Sequence, residues 1–389
     1  MRIEQAVNLD DIRRLSRRRL PRIAFDFIDG GADDERGLLR NRQAFADYQL
    51  VPRYLVDVSQ RDQSVTLFGK TYGSPVGICP MGLGSLFREG ADSMMAQAAV
   101  SRNIPFLMST SSNESIETVA RIAPEHVWFQ LYCTRDERIN IGLLSRVLDA
   151  GVKTLVVTVD VPVNANRERN RRNGFTRPFR LTPSIALQAL THPAWLWQYL
   201  RSGGIPMMQN WAPYAGAGAS AEEVADLFGS MTPSPSSSWK TLETLRQRWS
   251  GQLVVKGILH PADARLAVDL GVDGIIVSNH GGRQLDAAPA PLDMLAAVLA
   301  AVPATLPVML DSGVRRGSDV LIALCLGARF TFVGRPVLHG AAAAGLAGAE
   351  KVLQILHREI DTVMAQIGCT QISGLHAGYL RRSGAQPAA

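Results

Sequence analysis

The stretch Leu253-Val254-Val255-Lys256, followed after the helical pattern of 261–270 by Gly274-Ile275-Ile276-Val277-Ser278-Asn279-His280, decides the fold. Both apolar runs are short, β-branched and lack polar alternation, as in strands of a parallel sheet buried on both faces. The same pattern recurs upstream at 76–79, 105–108, 127–131 and 154–159, and downstream at 307–310 and 330–333. With 253–255 and 274–277 that makes eight strands, and helical patterns at 115–121, 139–150 and 318–326 fall between them. Eight strand–helix units predict a closed (β/α)8 TIM barrel rather than an open sheet, here as one domain over 1–389.

Active sites of such barrels lie at the carboxyl ends of the strands. In order, the residues leaving these strands are Pro80-Met81-Gly82, Ser109, Gln130 with Tyr132, Asp160, Lys256, Asn279-His280, Asp311-Ser312-Gly313 and Gly334-Arg335. One polar strand end means little. A polar residue at nearly every exit predicts a ring around a single pocket.

The run Ser278-Asn279-His280-Gly281-Gly282-Arg283-Gln284-Leu285-Asp286 is the centre of that ring. Histidine titrates nearest neutrality and suits a general base. The glycines let backbone approach a ligand, and Arg283 can grip a carboxylate by a two-pronged contact. Alone, the histidine would read as a structural residue in a glycine-rich turn; its neighbours and strand-end position reverse that preference. Asp160 ends an apolar strand, where a carboxylate can stabilise an imidazolium, and Arg167 is a second candidate carboxylate clamp. A surface salt bridge competes for Arg167, because Glu168, Arg169 and Arg171 crowd it. Lys256 follows an apolar run, and a charge there is seldom free unless it faces a ligand or partner. The loops after the seventh and eighth strands, Asp311-Ser312-Gly313-Val314-Arg315-Arg316-Gly317 and Gly334-Arg335-Pro336, match the usual place of a barrel phosphate site.

With 46% hydrophobic and 20% charged residues over 389 positions, the chain suits a large folded core rather than disorder. Its net charge of +6 has no nucleic-acid motif beside it, so no nucleic-acid partner is expected. Cys79, Cys133, Cys325 and Cys369 are far apart, which favours reduced thiols over a disulfide framework or a zinc site. Neither a secretory signal nor a membrane-spanning segment is expected, since no apolar h-region and no run of about 20 apolar residues occurs.

From Leu20-Pro21 to Gly368-Cys369 the chain resembles the FMN-dependent 2-hydroxy acid oxidases and dehydrogenases, on the run 278–286, the loop 311–317 and Gly334-Arg335-Pro336. The central insertion and Gln366-Ile367-Gly368-Cys369 are most similar to the family's membrane-associated mandelate dehydrogenase branch. The resemblance implies FMN as cofactor and oxidation of an (S)-2-hydroxy acid, aryl and mandelate-like, with a quinone as acceptor. It also implies a homotetramer in the cytoplasm, peripheral on the inner membrane face. His280 would take the substrate proton, paired to Asp160. Arg283 and Arg167 would bind the carboxylate, with Tyr132 hydrogen-bonding beside it. Lys256 would stabilise negative charge on the reduced flavin. Ser109, Gln130, Thr158 and Ser278 would contact the isoalloxazine, and Pro80, Met81 and Gly82 would pack against it. Asp311, Gly313, Arg315, Gly334 and Arg335 would hold the ribityl chain and phosphate. One position departs from the family: Phe27 stands where a tyrosine usually contacts the substrate carboxylate, a lost donor that should weaken binding by about 1 kcal/mol. Glycine at 82 is expected to leave room for a bulky substrate.

Two segments fall outside the repeat. Residues 1–70 are expected as a helical extension capping the bottom or side of the barrel. The connection 161–252 is far longer than an ordinary βα unit. Within it, 181–200 has no Asp, Glu, Lys or Arg but carries Trp195, Trp197 and Tyr199, with Trp211 close behind. A membrane-binding insertion at 175–215 and a segment packed on the barrel or on another subunit fit this composition equally; the resemblance favours the membrane. Residues 214–238, rich in Gly, Ala, Ser and Pro, read as a mobile loop. Competing readings of the whole are an oxidase returning electrons to oxygen, an L-lactate dehydrogenase, and a phosphate-ligand barrel without redox chemistry.

Overall fold

The computed structural model describes residues 1–175 and 181–383. Part of the expected insertion, 176–180, and the tail of the expected domain, 384–389, therefore lie outside the described residues.

The strands are β1 Val76–Ile78, β2 Phe106–Ser109, β3 Val127–Leu131, β4 Thr154–Thr158, β5 Gln252–Ile258, β6 Gly274–Val277, β7 Val308–Leu310 and β8 Phe330–Val333. Neighbours pair in parallel, and β8 returns to β1, so the sheet closes into a (β/α)8 barrel. The unbroken apolar runs have a simple cause: both faces of every strand are covered. Leu107, Trp128, Val156, Val254, Ile276, Met309 and Phe332 fill the interior. Their chain neighbours, among them Met108, Phe129, Leu155, Val255, Val277 and Leu310, pack outward against the helices. At β1 the interior position is Gly77, where a Cβ would sit 2.5 Å from the Phe332 ring; the aromatic fills that space instead.

The helices Ile116–Ile122, Glu137–Asp149, Pro261–Asp269 and Gly317–Cys325 lie where the periodicity placed them. Ser115 and Asp136 accept backbone N–H groups at the first two and so fix their start.

The N-terminal segment does more than cap the barrel bottom or side. A hairpin, Val65–Leu67 with Lys70–Tyr72, supplies Leu67 and Tyr72 to the interior cluster, and Phe68 packs on Trp128. The helices Arg22–Asp29 and Arg36–Ala46 instead reach the catalytic-face loops, where Gly37 N–H donates to Asp286 and Arg283 donates to the carbonyl of Phe27. Within 214–238 the expected loop contains a helix, Ala221–Met231, started by a Ser220–Glu223 capping box. The charge-free segment forms two helices, Pro183–Leu190 and Pro193–Arg201, each with proline in its first turn, where the missing N–H costs nothing. No described helix is long and apolar enough to cross a membrane.

Candidate active site

Side chains alternate along a strand, so the residue two beyond each interior apolar one also points inward. Two beyond Leu107, Trp128, Val156, Val254, Ile276 and Met309 stand Ser109, Gln130, Thr158, Lys256, Ser278 and Asp311. The strand register therefore converts a hydrophobic core into a polar floor at the catalytic end. Lys256 Nζ donates to Ser278 Oγ at 2.8 Å and pairs with Asp311 at 3.0 Å. Burial disfavours its ammonium, but Asp311 and then Asp160 outweigh that and hold its pKa above the ordinary lysine value. Lys256 does not end its strand as expected: β5 continues to Ile258 across a register shift. Gly257, at φ +107°, makes that shift possible, and a Cβ there would lie 2.6 Å from the Asp160 side chain.

Two residues further out come Tyr132, Asp160 and His280. His280 Nδ1 lies 2.8 Å from Asp160 Oδ1, and Nε2 lies 3.3 Å from the Tyr132 hydroxyl. A carboxylate at Nδ1 fixes the proton there and leaves the Nε2 lone pair available. Burial lowers the His280 pKa; Asp160 opposes this, while Lys256 and Arg167 add to it. Burial would raise Asp160, but its hydrogen-bonded partner His280 and the charge of Lys256 hold it below the usual carboxylate range. Burial, then Asp160, pushes the Tyr132 phenol up to about 12. The neutral imidazole is thus the form the site favours.

A cavity of about 640 Å3 opens above this floor, within the range of cofactor sites. Its wall includes Phe27, Pro80, Met81, Gly82, Tyr132, Arg167, Lys256, His280, Arg283, Asp311, Gly313, Arg315, Gly334 and Arg335. Ser109, Gln130, Thr158 and Ser278 are buried at the strand ends, and Asp160 is half-buried there. Four arginines converge here. Arg283 donates to the carbonyls of Phe27 and Gly30 at 2.8 and 2.9 Å. Arg335 donates to Ile28, Gly30 and Gly281 at 3.0, 2.8 and 2.9 Å. Arg167 reaches the Arg283 carbonyl, and Arg315 its neighbour Val314. Among the described residues none of the four pairs with an acid. Burial, then the other arginines, drives Arg283 well down and brings Arg335 to about 9; burial, then Arg42, brings Arg315 to about 10.

Such a set of half-buried cations crowded round one cavity is costly without anions. The arrangement fits two: a phosphate by Arg315 and Arg335, and a carboxylate by Arg283 and Arg167. Gln130 Nε2 and Thr158 Oγ1, buried and without a hydrogen-bond partner among the described residues, fit a planar heterocycle with polar edges between them. Among the described residues Arg167 makes no salt bridge, so the competing surface pair is not seen there.

Comparison with known proteins agrees with this geometry. The profile of the FMN-dependent dehydrogenases matches residues 16–382. The chain belongs to that family. It is 41% identical over 378 residues to the (S)-mandelate dehydrogenase of Pseudomonas putida, spanning 97% of this chain and 94% of that one. It is 39% identical to an L-lactate dehydrogenase of Caulobacter vibrioides, over 95% and 96% of the two chains. The crystal structure of the monotopic membrane protein (S)-mandelate dehydrogenase superposes with a TM-score of 0.92 at 39% identity, over 97% of this chain and all (100%) of that one. As a member of the family the chain is an FMN-dependent 2-hydroxy acid oxidoreductase.

Some features of the site were not read from the sequence. Helix Ala221–Met231 lies beside the cavity, contributing Phe228 to its wall. Phe27 packs against Phe175 and Phe87, with ring centroids 4.6 and 5.8 Å away, and lies 5.1 Å under the Arg283 guanidinium. Gly82 has a second reason to be glycine: a Cβ there would meet Ser111 Oγ at 2.0 Å, so the absent side chain first serves the approach of the Ser111 loop. Trp195 and Trp211, expected in a membrane-facing segment, are buried and donate to the carbonyls of Leu86 and Thr110.

Proposed function

We propose that the chain oxidises an (S)-2-hydroxy acid with an aryl side chain to the 2-oxo acid and passes the electrons to a membrane quinone. The observation that carries this reading is the set of four half-buried arginines, unpaired with acids among the described residues, that line one cavity with the hydrogen-bonded His280–Asp160 pair. Arg283 and Arg167 bind the substrate carboxylate, and Tyr132 donates a hydrogen bond beside it. This clamp sets the carbon bearing the hydroxyl against His280. Nε2 takes the substrate proton, and Asp160 stabilises the imidazolium that results. FMN, when bound, would supply the oxidant, taking up the two electrons together with the second hydrogen of the CH–OH group. Arg315 and Arg335, with the backbone at Gly313 and Gly334, would hold its phosphate. Lys256 and Asp311 lie in the floor with Ser109, Gln130, Thr158 and Ser278, where Lys256 would offset negative charge gained by the flavin. Pro80, Met81 and Gly82 pack at its side. The aromatic wall of Phe27, Phe175 and Phe228, and the relative named as a mandelate dehydrogenase, support an aryl substrate.

The direct test is anaerobic bleaching of the purified holoenzyme against a panel running from lactate to mandelate and 4-hydroxymandelate. Fastest bleaching by an aryl acid is expected. A preference for lactate ends the aryl reading, and no bleaching by any member ends the 2-hydroxy acid reading. Peroxide release in air would replace the quinone by oxygen.

Peripheral membrane association belongs to the same proposal. Leu181, Leu187, Leu190, Trp197 and Leu200 are 71%, 63%, 67%, 63% and 66% exposed on or beside the two proline-started helices. An apolar surface of that kind suits an interfacial anchor. The protein is expected to sediment with vesicles, and Leu187→Glu together with Leu200→Glu should release it with turnover toward an artificial dye retained. Failure of the unmodified protein to sediment removes the anchor.

A further inference from the structure

His280 has φ +58°, in the left-handed region that side chains rarely adopt. A base held in that conformation needs surroundings that over-determine it. Inside the loop, His280 N–H donates to Ser278 Oγ at 3.1 Å, and Gly281 N–H to Ser312 Oγ at 2.9 Å. The outer hold comes from far along the chain. Asn41, on helix Arg36–Ala46, exchanges two hydrogen bonds with Asn279, the residue before His280. Asn41 Nδ2 donates to Asn279 Oδ1 at 2.8 Å, and Asn279 Nδ2 donates to Asn41 Oδ1 at 2.6 Å. Both side chains are buried. Asn279 Oδ1 also accepts from Gly282 N–H at 3.1 Å, so this one amide spans the turn that carries His280.

The same helix grips the loop at its far end. Asp286 accepts from Gly37 N–H at 2.6 Å and Arg36 N–H at 3.2 Å, and Arg40 donates to the carbonyls of Asp286 and Ala288 at 2.9 and 2.6 Å. A Cβ on Gly313 would come within 2.2 Å of the Asn41 carbonyl, so the helix also abuts the loop after β7.

We propose that Asn41 is a positioning residue for the catalytic base: its paired amide locks Asn279 and so holds His280 in the left-handed turn that aims Nε2 into the cavity. Asn41 is not in the cavity wall, and among the described residues its side-chain amide bonds to Asn279 only. The proposal rests on the reading of His280 as base.

The test uses FMN-loaded Asn41→Ala. Turnover is expected to fall about 10- to 100-fold, as for a base displaced by an ångström, with KM within about threefold because Arg283 and Arg167 are anchored elsewhere. FMN affinity should be unchanged. Because the two amides act as a unit, Asn41→Ala with Asn279→Ala should lose no more than the worse single variant. A loosened loop admits water to His280, which faces Asp160, Tyr132, Lys256 and Arg167. Its pKa, read by 15N NMR of the histidine-labelled holoenzyme, should then rise toward the ordinary value. That reading needs no turnover, so it tests the positioning even if the substrate reading fails. If Asn41→Ala yields no folded holoenzyme, Asn41→Asp replaces it: the side chain keeps its size and one acceptor but cannot donate to Asn279 Oδ1. Wild-type turnover with an unmoved His280 pKa in an FMN-loaded variant overturns the proposal, as does a turnover loss that matches loss of bound FMN.

Discussion

Replacing His280 with alanine is expected to lower kcat by about 10^4-fold while FMN stays bound, a loss of about 5 kcal/mol in the barrier. The phosphate arginines, Arg315 and Arg335, do not depend on the imidazole for their hydrogen bonds, so the flavin spectrum should persist. What disappears is the Nε2 lone pair beside the clamped substrate, and no neighbour can replace it. Tyr132 is pushed up to about 12, and Lys256 is held protonated by Asp311 and Asp160. In the unmodified enzyme the pH dependence follows from the same group. The base works when neutral, and burial, reinforced by Lys256 and Arg167 against the pull of Asp160, lowers its pKa. Activity in kcat/KM should therefore hold through neutrality and fall tenfold per pH unit only below the ordinary histidine value of about 6.5. An acid limb centred above that value, or turnover within tenfold of wild type in the alanine variant, contradicts the assignment of the base.

The barrel was legible because burial on both strand faces leaves an unbroken apolar run, a pattern read without knowing any contact. The polar floor was legible for a related reason: it continues the inward alternation past the last apolar residue, from Val254 to Lys256 or from Trp128 to Gln130. Alternation also marks how far such a reading reaches. Lys256 looked like a strand end, yet β5 runs on to Ile258, because a glycine at φ +107° can carry a bulge that composition does not reveal. The helix beside the cavity was hidden by its glycine, alanine and serine content, and Ser220 with Glu223 three residues on was its one local sign. The supports of Arg283 and Arg335 could not be read at all. They are main-chain carbonyls of Phe27, Ile28 and Gly30, and a carbonyl has no residue type. Asn41 is hidden likewise, since its partner is 238 positions away. Aromatic composition was ambiguous in the insertion: Trp197 faces solvent, whereas Trp195 and Trp211 found carbonyl partners inside.

Replacing Arg283 with methionine should lower kcat/KM for the 2-hydroxy acid by about 10^3-fold, near 4 kcal/mol, the scale for removing one partner of a buried, hydrogen-bonded charge pair. Nη1 of Arg283 is held by the carbonyls of Phe27 and Gly30. The rest of the guanidinium fork is therefore pre-set for a carboxylate, and little side-chain entropy is lost when substrate binds. Phe27 sharpens this dependence. Its ring lies 5.1 Å under the guanidinium and offers the carboxylate no hydroxyl, so Arg283 carries more of the clamp than it would beside a tyrosine. Lysine at 283 should recover only a small part, because a point charge cannot satisfy both carbonyls and still present two donors to the substrate. The decisive measurement compares the acid with its 2-hydroxy amide. Wild type should prefer the acid strongly, and the methionine variant should lose most of that preference, because the variant loses the interaction that distinguishes a carboxylate from a neutral amide. A methionine variant that keeps the wild-type ratio of acid to amide would place the carboxylate elsewhere, with Arg167 as the first candidate, since it too lines the cavity without an acid partner among the described residues.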